Sequence, residues 1–442
     1  MRLHLPLLLC LFTTISPADA NIFARGTESF ARIASKAHRH AARRSAGLAR
    51  DLRLSFQGLL AEQPQGAQSV ANSRVYCVNS PGLSSNTNNN DTSPAIGNAT
   101  TVISGPSFTS SSGGKASGTA SSGRASATAS SAPSSPWKLK QSYQGNSFFN
   151  GWDFFTGADP TNGIVTYIDQ NTAKQANLIS INSDGNAVMK VETTPQVQNT
   201  RQSVRITTQL TFTGGLVIMD SVHMPTGCGT WPAFWTNGPN WPNNGEIDIV
   251  EGVNDYTNNQ ATIHTAPGCT LSSSSSSALG ISGTLVGGTV CAAALTGNQG
   301  CGVRSPQTNS FGASFNSNNG GVYAMQWDND GVSVFFFPRN NIPDDITANA
   351  PLPQNWGTPM AFWPSANCDP FKFFNGHSAI FDTTLCGDWA SGVWTSSGIP
   401  GQEQSCAQRT GVSTCEQFVR QNGGSFSEAY WEVSYVKIFQ TS

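Results

Sequence analysis

The sequence VYAMQWDNDGVSVFFF at residues 322–337 sets two apolar runs on either side of a short polar segment. Valine and aromatic residues favour strands, whereas aspartate, asparagine and glycine favour tight turns. The stretch therefore predicts a β-hairpin that turns at residues 328–331. Its DNDG segment lacks the ligand spacing of a calcium loop, so a turn is the better interpretation.

Similar strand signals recur elsewhere in the second half of the chain. At residues 203–212, SVRITTQLTF alternates, which is a β signal: one face carries Val204, Ile206, Leu210 and Phe212, and the other carries Arg205, Thr207 and Gln209. Residues 429–439, AYWEVSYVKIF, predict a last strand. No long stretch keeps the 3.6-residue period of an amphipathic helix. Residues 137–442 are therefore expected to form one all-β domain, a sandwich of two antiparallel sheets.

The first twenty residues are typical of a secretory signal peptide. Arg2 gives a positive start, residues 5–15 are mostly apolar, and Ala18-Asp19-Ala20 forms a small-residue cleavage site. A membrane-spanning helix needs about 20 apolar residues, and neither this segment nor the C-terminal SYVKIFQTS supplies them. We expect a secreted, extracellular protein without a membrane anchor.

Two further segments precede the β domain. Residues 21–78 are basic and are interpreted as a pro-segment of unknown role, with Arg43-Arg44 as a candidate processing site. Residues 79–136 are rich in Ser, Thr and Gly and cannot bury enough apolar surface to offset their ordering entropy. They are predicted to be a disordered, glycosylated linker, and the N-x-S/T sequences at Asn90 and Asn98 lie within it.

Charge and cysteine content narrow the class of protein. The net charge of −2 gives no strong field for binding nucleic acid or an anionic membrane. Eight cysteines lie in the β domain, and none shows the C-x-x-C spacing of a zinc site. In an oxidising compartment they predict four disulfides, whose pairing the sequence leaves open. Cys77 is left over and is expected to pair with another molecule or to be removed.

A cluster of acids then points to chemistry. GEIDIVEG at residues 245–252 carries Glu246, Asp248 and Glu251 within six residues, although charged residues make up only 11% of the chain. The acids could be a solvated surface, a calcium site or catalytic carboxylates. The apolar residues between them argue against surface, and three carboxylates from one strand rarely wrap a cation.

The spacing of these acids suggests how they could act together. On a regular strand Glu246 and Asp248 would face one side and Glu251 the other. A β-bulge between Asp248 and Glu251 would reset the alternation and return Glu251 to the shared face. Glycoside hydrolysis needs such a pair of carboxyl groups across the sugar bond, and a third carboxylate nearby helps keep one of them protonated.

Aromatic residues flank the cluster. Trp231, Trp235 and Trp241 precede it, and His264 follows. Indole faces stack on sugar rings, so the three tryptophans could line a groove, although large aromatic residues also fill cores. We expect about half of them to be core residues.

Taken together, these motifs resemble glycoside hydrolase family 16. GEIDIVEG matches the E-I-D-x-x-E signature of that family, WPAFW and the downstream histidine match neighbouring elements, and NSFFNGWDFFTGADPTNGIVTYID, IPDDI, CGDWA and YWEVSYVKIF resemble its secreted fungal laminarinase-type branch. The resemblance covers nearly all of residues 137–442. It implies a concanavalin-like β-jelly-roll with an open β-glucan cleft.

The resemblance also implies roles for individual residues. Glu246 would be the nucleophile, Glu251 the acid/base and Asp248 an assisting residue. Substrate contacts would come from Trp241 and His264, and also from Trp235, Arg205 and Trp389.

The function expected from the sequence is that of an endo-β-glucanase that cuts β-1,3 bonds, and neighbouring β-1,4 bonds, with retention of configuration. The substrate would be a β-glucan, and we expect a monomer without cofactor or metal. A cell-wall transglycosylase and a non-catalytic glucan-binding module are the alternatives, because one sandwich fold serves all three functions.

Overall fold

Strands dominate the computed structural model, which describes residues 134–441. In chain order the strands are β1 (Trp137–Gln144), β2 (Trp152–Phe154), β3 (Val165–Tyr167), β4 (Ile179–Ile181), β5 (Ala187–Lys190), β6 (Arg201–Ser203), β7 (Arg205–Thr208), β8 (Gly215–His223), β9 (Thr230–Asn237), β10 (Glu246–Glu251), β11 (Gln260–His264), β12 (Thr284–Gly287), β13 (Cys301–Arg304), β14 (Gly321–Asp328), β15 (Gly331–Pro338), β16 (Ala361–Pro364), β17 (Ser378–Leu385) and β18 (Tyr430–Thr441).

Helices in the described part of the chain are short. They are α1 (Gln170–Gln175), α2 (Ser276–Leu279), α3 (Ala293–Thr296), α4 (Gly312–Ser317), α5 (Asp344–Thr347), α6 (Pro370–Phe373), α7 (Gly387–Gly392), α8 (Cys406–Thr410) and α9 (Cys415–Gln421), together with single 3-10 turns at Gly145–Ser147, Arg339–Asn341, Pro353–Asn355 and Gly423–Phe426. Among the described residues no helix is long and apolar enough to cross a bilayer.

Two eight-stranded sheets carry the fold. Sheet 1 runs β16-β15-β14-β8-β18-β5-β4, with β1 also paired to β18, and sheet 2 runs β12-β13-β11-β10-β9-β17-β7-β2. Neighbouring strands within both sheets are antiparallel, and β3 and β6 form a separate parallel pair. The predicted all-β sandwich is confirmed.

Alternating side chains of the two sheets fill the apolar core between them. Phe381 of sheet 2 stacks on Phe234 at 4.4 Å between ring centroids and meets Trp431 of sheet 1 edge-on at 5.3 Å. All three are buried. The residues that alternate with Phe234 and Phe381 must therefore face away from sheet 1.

The strand predictions are confirmed for the hairpin and the last strand. Residues 322–337 form β14 and β15, which pair from Gly321 with Pro338 to Asp328 with Gly331. Residues 203–212 keep the predicted alternation: Val204, Ile206 and Phe212 are buried, and Arg205, Thr207 and Gln209 are more exposed. They do not form one continuous strand. The chain leaves its parallel pairing with β3 at Ser203, pairs with β17 only over Arg205–Thr207, and makes an isolated bridge at Phe212.

Four disulfides join the eight cysteines of the domain, as predicted. They are Cys228–Cys406, Cys269–Cys368, Cys291–Cys301 and Cys386–Cys415. The proposed signal peptide, the basic segment, Cys77, Asn90, Asn98 and nearly all of the linker lie outside the described residues.

Candidate active site

Strand β10 contains the irregularity that the spacing of its acids predicts. Along its pairing with β9, Asp248 lies opposite Trp235, but Val250 lies opposite the very next residue, Phe234. Ile249 is therefore one residue more than the partner strand provides, which defines a β-bulge. The predicted bulge is confirmed.

The bulge brings the three acids to one face of sheet 2. Antiparallel partners share a face, and the partners of Glu246, Asp248 and Glu251 on β9 are Asn237, Trp235 and Ala233, which alternate with the buried core residues of that strand. We call this side of sheet 2 the carboxylate face. Ile247 and Val250 point the other way and are fully buried.

Neighbouring side chains fix the carboxyl groups in place. The Trp231 indole N–H donates to Glu251 Oε1 at 2.8 Å, and His264 Nε2 lies 3.3 Å from Asp248 Oδ2. His264 pairs with Glu246 across β10 and β11, so it belongs to the same face. One side-chain ligand atom each of Glu246, Asp248 and His264 lie within 4.8 Å of one another.

Burial makes these acids hard to ionise. It raises the pKa of Glu246 from 4.5 to about 8; the charge of Asp248 adds to this effect, whereas contacts with His264 and Trp241 oppose it. Burial also raises the pKa of Asp248. It holds the pKa of Glu251 well above its ordinary value of 4.5, again with the help of the Asp248 charge.

The shared face therefore holds protons at neutral pH. Glu246 and Asp248 are hydrogen-bonded to each other, which requires that the pair retain a proton. Three ionised carboxylates at this separation would repel one another. The arrangement supplies a protonated acid beside carboxylates, the combination that acid–base catalysis needs.

Glu246, Asp248 and His264 are also close enough together to hold a metal ion. Calcium takes six to eight oxygen ligands, and two carboxylates with one imidazole do not supply that set. The two carboxylates are engaged with each other through a proton, and Asp248 also contacts His264. The donor set fits proton sharing better than a calcium site.

The three tryptophans near the acids all reach the surface. Trp231 and Trp235 are partly exposed at alternate positions of β9, and Trp241 is 43% exposed in the loop that follows. The expectation that about half of them are core residues is wrong. The alternation of β9 gives the core to Phe234 and leaves the tryptophans on the carboxylate face.

Trp241 extends the site along this face. Its side chain hydrogen-bonds to Glu246 and lowers the pKa of that carboxyl group. The residue also lines a cavity of about 380 Å³ together with Thr207, Asn237 and Ser378. Asn237 pairs with Glu246 on the neighbouring strand, so the cavity adjoins the carboxylates.

Arg205 and Trp235 occupy the face on the side opposite His264, because β9, β17 and β7 follow β10 in that direction. The Arg205 guanidinium carbon lies 5.0 Å from the Trp235 ring centroid and 4.7 Å from that of Phe155. Trp389 of α7 contacts the carboxylate face through Trp231. Its ring meets Trp231 edge-on at 5.7 Å, so it supports the residue that bonds Glu251.

Three residues of this region were not found from the sequence: Asp382, Tyr167 and Arg304. Asp382 is buried on β17 and accepts hydrogen bonds from Trp235 and Tyr167. Arg304 of β13 lies beyond β11, with its guanidinium carbon 5.4 Å from the Tyr256 ring centroid. A lone acid inside the apolar run SAIFDTTL at residues 378–385 was the available signal for Asp382.

Comparison with known families gives one assignment for most of the domain. The model of the "XgeA-like, catalytic GH16 domain" matches residues 152–439. A protein of Schizosaccharomyces pombe named as a probable glycosidase is 41% identical over 305 residues, which cover 69% of each chain. A protein of Aspergillus niger named as a probable endo-1,3(4)-β-glucanase is 43% identical over 314 residues, 70% of this chain but 41% of that protein.

Solved structures give the same assignment. Laminarinase 16A of Phanerochaete chrysosporium, solved with 6-O-glucosyl-laminaritriose in donor and acceptor sites, has 37% identity and a TM-score of 0.62, covering 69% of this chain and 99% of that one. A structure described as an elongating family GH16 β-1,3-glucosyltransferase has 38% identity and a TM-score of 0.61, covering 69% of this chain and all of the other. These likenesses confirm the jelly-roll form of the sandwich.

Proposed function

This chain belongs to glycoside hydrolase family 16, and from that premise we propose that it is an endo-acting glucanase that hydrolyses internal β-1,3-glucosidic bonds with retention of configuration. The bulge at Ile249 is the observation that carries the proposal, because it brings Glu246, Asp248 and Glu251 to one face. The relatives named as endo-1,3(4)-β-glucanases support β-glucan as the substrate, including bonds of mixed 1,3 and 1,4 linkage.

The proposed reaction has two displacements. In the first, a Glu246 oxygen attacks the anomeric carbon while the bond to the leaving oxygen breaks and that oxygen takes the proton of Glu251. In the second, ionised Glu251 removes a proton from water, the water oxygen attacks the same carbon, and the bond to Glu246 breaks. The residues carry both steps without a cofactor.

Protonation supports this division of roles. The pKa of Glu251 is held well above its ordinary value, which suits an acid that must be protonated at the start. Hydrogen bonding from Trp241 and the proximity of His264 favour the ionised form of Glu246. With Glu246 ionised, Asp248 keeps the shared proton and donates a hydrogen bond to the Glu246 carboxylate, and that proton stays on Asp248 through both displacements.

Substrate contacts are proposed on both sides of the acids. Trp241 and His264 flank Glu246, Trp235 and Arg205 lie towards β7, and Trp389 buttresses Trp231. Exposed indole faces suit the apolar faces of sugar rings.

The order of segments along the chain supports a location outside the cell. We propose that residues 1–20 direct secretion, that residues 21–78 are a pro-segment, and that residues 79–136 tether the catalytic domain at 137–442. Four disulfides within that domain are consistent with an oxidising compartment. A monomer is expected.

The test is product analysis on purified laminarin and on mixed-linkage glucan. The wild-type protein should release oligosaccharides of intermediate size, and proton NMR should detect the β-anomer first. Glu246→Gln should abolish hydrolysis, and Asp248→Asn should be slow but active. Glu251→Gln should retain more activity on substrates whose leaving groups need no proton than on laminarin.

Glu403→Gln is the matched control, because Glu403 is an exposed loop residue outside the carboxylate face. Its product pattern should be that of the wild type. An α-anomer that appears first, or full activity in Glu246→Gln, would overturn the assignment of roles.

One rival reaction has an observation in its favour. The likeness to the elongating β-1,3-glucosyltransferase fits a transglycosylase, in which a sugar hydroxyl replaces water in the second displacement. Early products longer than the starting oligosaccharide would favour that reaction. A non-catalytic binding module is disfavoured because both glutamates are retained.

A further inference from the structure

Asp382 lies on the carboxylate face without a role in the reaction described above. The pairing of β17 places it opposite Ala233 on β9 and opposite Arg205 on β7. Ala233 in turn pairs with Glu251. Glu251, Ala233, Asp382 and Arg205 therefore form one row across four neighbouring strands, and Asp382 is only 8% exposed.

The Asp382 carboxylate joins side chains from separate segments. The Trp235 indole N–H donates to Oδ1 at 3.3 Å, and the Tyr167 hydroxyl donates to Oδ2 at 3.3 Å. Tyr167 comes from β3, which lies outside sheet 2. Both carboxylate oxygens thus accept a hydrogen bond, one from the partly exposed Trp235 and one from the buried Tyr167.

Arg205 depends on the same carboxylate. Its Nε atom is buried and has no hydrogen-bond partner among the described residues, while its guanidinium lies over Trp235 and Phe155. The charges of Asp382 and Arg205 attract each other. Arg205 is thus held by stacking on an indole and by charge, and its Nε N–H has no acceptor among the described residues.

Asp382 also affects the catalytic row electrically. Burial raises the pKa of Asp382 to about 6, Arg205 opposes that shift, and the charge of Asp159 from the loop before β3 adds to it. In its ionised form Asp382 raises the pKa of Asp248. The charged and titratable groups that face it are thus Arg205, Asp159, Tyr167 and Asp248.

We propose that Asp382 is a positioning residue for glucan binding, which holds Trp235 and Arg205 in the orientation that contacts sugar units on the side of the cleft away from His264. The inference rests on the proposed glucanase function. It assigns Asp382 no contact with the reacting atoms, so its effect should fall on binding and on the pH profile rather than on the identity of the products.

The experiment measures kcat and KM on laminari-oligosaccharides of increasing length, and pH–rate profiles, for Asp382→Ala, Asp382→Asn and Tyr167→Phe. Asp382→Ala should raise KM about tenfold on long oligosaccharides, the effect expected when a hydrogen bond to a charged group is lost. Asp382→Asn should raise KM less, because the amide oxygen can still accept from Trp235. Tyr167→Phe should raise KM by a few-fold at most.

The pH–rate profile distinguishes the effect of the Asp382 charge from the structural effect of its side chain. Removal of the Asp382 charge makes Asp248 easier to ionise. Because Asp248 has to hold the shared proton, the alkaline limb of Asp382→Asn should move to lower pH. Tyr167→Phe removes no charge and should leave that limb in place. A purely structural role for Asp382 would lower the melting temperature without moving the limb.

Asp220→Asn is the matched control. Asp220 is a buried aspartate with an arginine partner, Arg339, but it lies on β8 of sheet 1. Its variant should lose stability while KM and the pH profile stay unchanged. If Asp382→Asn behaves like this control in active enzyme, the inference is wrong. If the wild-type protein fails to hydrolyse any glucan, it is the proposed function that fails.

Discussion

The raised pKa of Glu251 suits its proposed role as an acid but lowers the stability of the folded protein as pH rises. Its carboxyl group is partly buried, receives one hydrogen bond from Trp231 and has a pKa well above 4.5. Between pH 4.5 and that raised pKa the native state binds more protons than the unfolded state does. The free energy of unfolding contributed by this group therefore falls as pH rises through that window.

Glu251→Gln should remove this pH-dependent loss, because the amide stays neutral at every pH. The melting temperature of the variant should match that of the wild type near pH 4 and exceed it at pH 8. Calorimetry at pH 4, 6 and 8 measures the margin, with the exposed Glu403→Gln as the control. If the difference in melting temperature between variant and wild type does not grow with pH, burial does not raise the pKa of Glu251 as argued.

Trp231→Phe should shift the pH dependence of catalysis. The indole N–H lowers the pKa of Glu251, so its loss raises that pKa further and moves the alkaline limb of the pH–rate profile to higher pH. The rate should fall about tenfold, since a charged hydrogen bond that orients the acid is lost.

Trp394→Phe is the control for this experiment. Trp394 also donates its indole N–H, to the carbonyl of Val412 at 2.9 Å, but in a separate core cluster. Its variant should be less stable and should keep the wild-type pH profile. An equal shift in both variants would rule out a specific action of Trp231 on Glu251.

Sequence patterns within a few residues predicted strands and turns correctly, whereas contacts between distant residues were not predicted. The hairpin at residues 322–337 and the bulge in β10 follow from residue types and spacing within a few positions, and both predictions are confirmed. Asp382 was not predicted as a site residue because its hydrogen-bond partners Trp235 and Tyr167 are 147 and 215 residues away in the sequence. The order of strands in sheet 2 brings Trp235 beside Asp382, and β3 supplies Tyr167 from outside that sheet. Residue spacing reveals neither arrangement.

The same limit explains what the sequence could not predict about residues 203–212 and about the tryptophans. The alternation in residues 203–212 is real, yet the chain changes partner at Ser203, which no local pattern records. The tryptophans near the acids are large enough for the core, but the register of β9 assigns the core positions to Phe234 and its alternates. Side-chain size alone could not decide which face they occupy.

The disulfides should contribute unequally to stability. Cys291–Cys301 closes a loop with a sequence separation of 10, and Cys228–Cys406 one of 178. In the chain-entropy model these loops correspond to about 3 and about 5 kcal/mol. Double serine variants of each pair can be compared by urea denaturation. The variant without Cys228–Cys406 should lose more stability than the variant without Cys291–Cys301.

A thiol titration accompanies this comparison. Unfolded, unreduced protein of residues 134–442 should show no free thiol, and each double variant should also show none. A larger loss of stability for the short loop would show that strain or packing, rather than loop entropy, decides the effect.

The described sandwich begins where the low-complexity segment ends. Trp137 is the first residue of β1 and is buried, and Ser135 donates a hydrogen bond to the carbonyl of Pro351 at 2.6 Å. Residues 79–133 lack the apolar side chains needed for a core of their own.

A fragment of residues 134–442 should therefore fold and hydrolyse soluble laminarin at the rate of the full-length protein. Folding is measured by circular dichroism and by the melting temperature, and hydrolysis by the release of reducing ends. A fragment that starts at residue 145, which lacks β1, is the control and should be destabilised. Failure of the 134–442 fragment to fold would contradict the domain boundary.

The position of β18 has a consequence for how this chain is made. The last strand lies inside sheet 1, with β8 on one side and β5 and β1 on the other. A ribosome releases it after every other strand, so the nascent chain carries Glu246, Asp248 and Glu251 long before sheet 1 has its central strand. Until then β8, β5 and β1 have open edges that can pair with other chains. The sandwich therefore completes only after residues 430–441 have left the ribosome, and until then its unpaired strand edges are exposed to other chains.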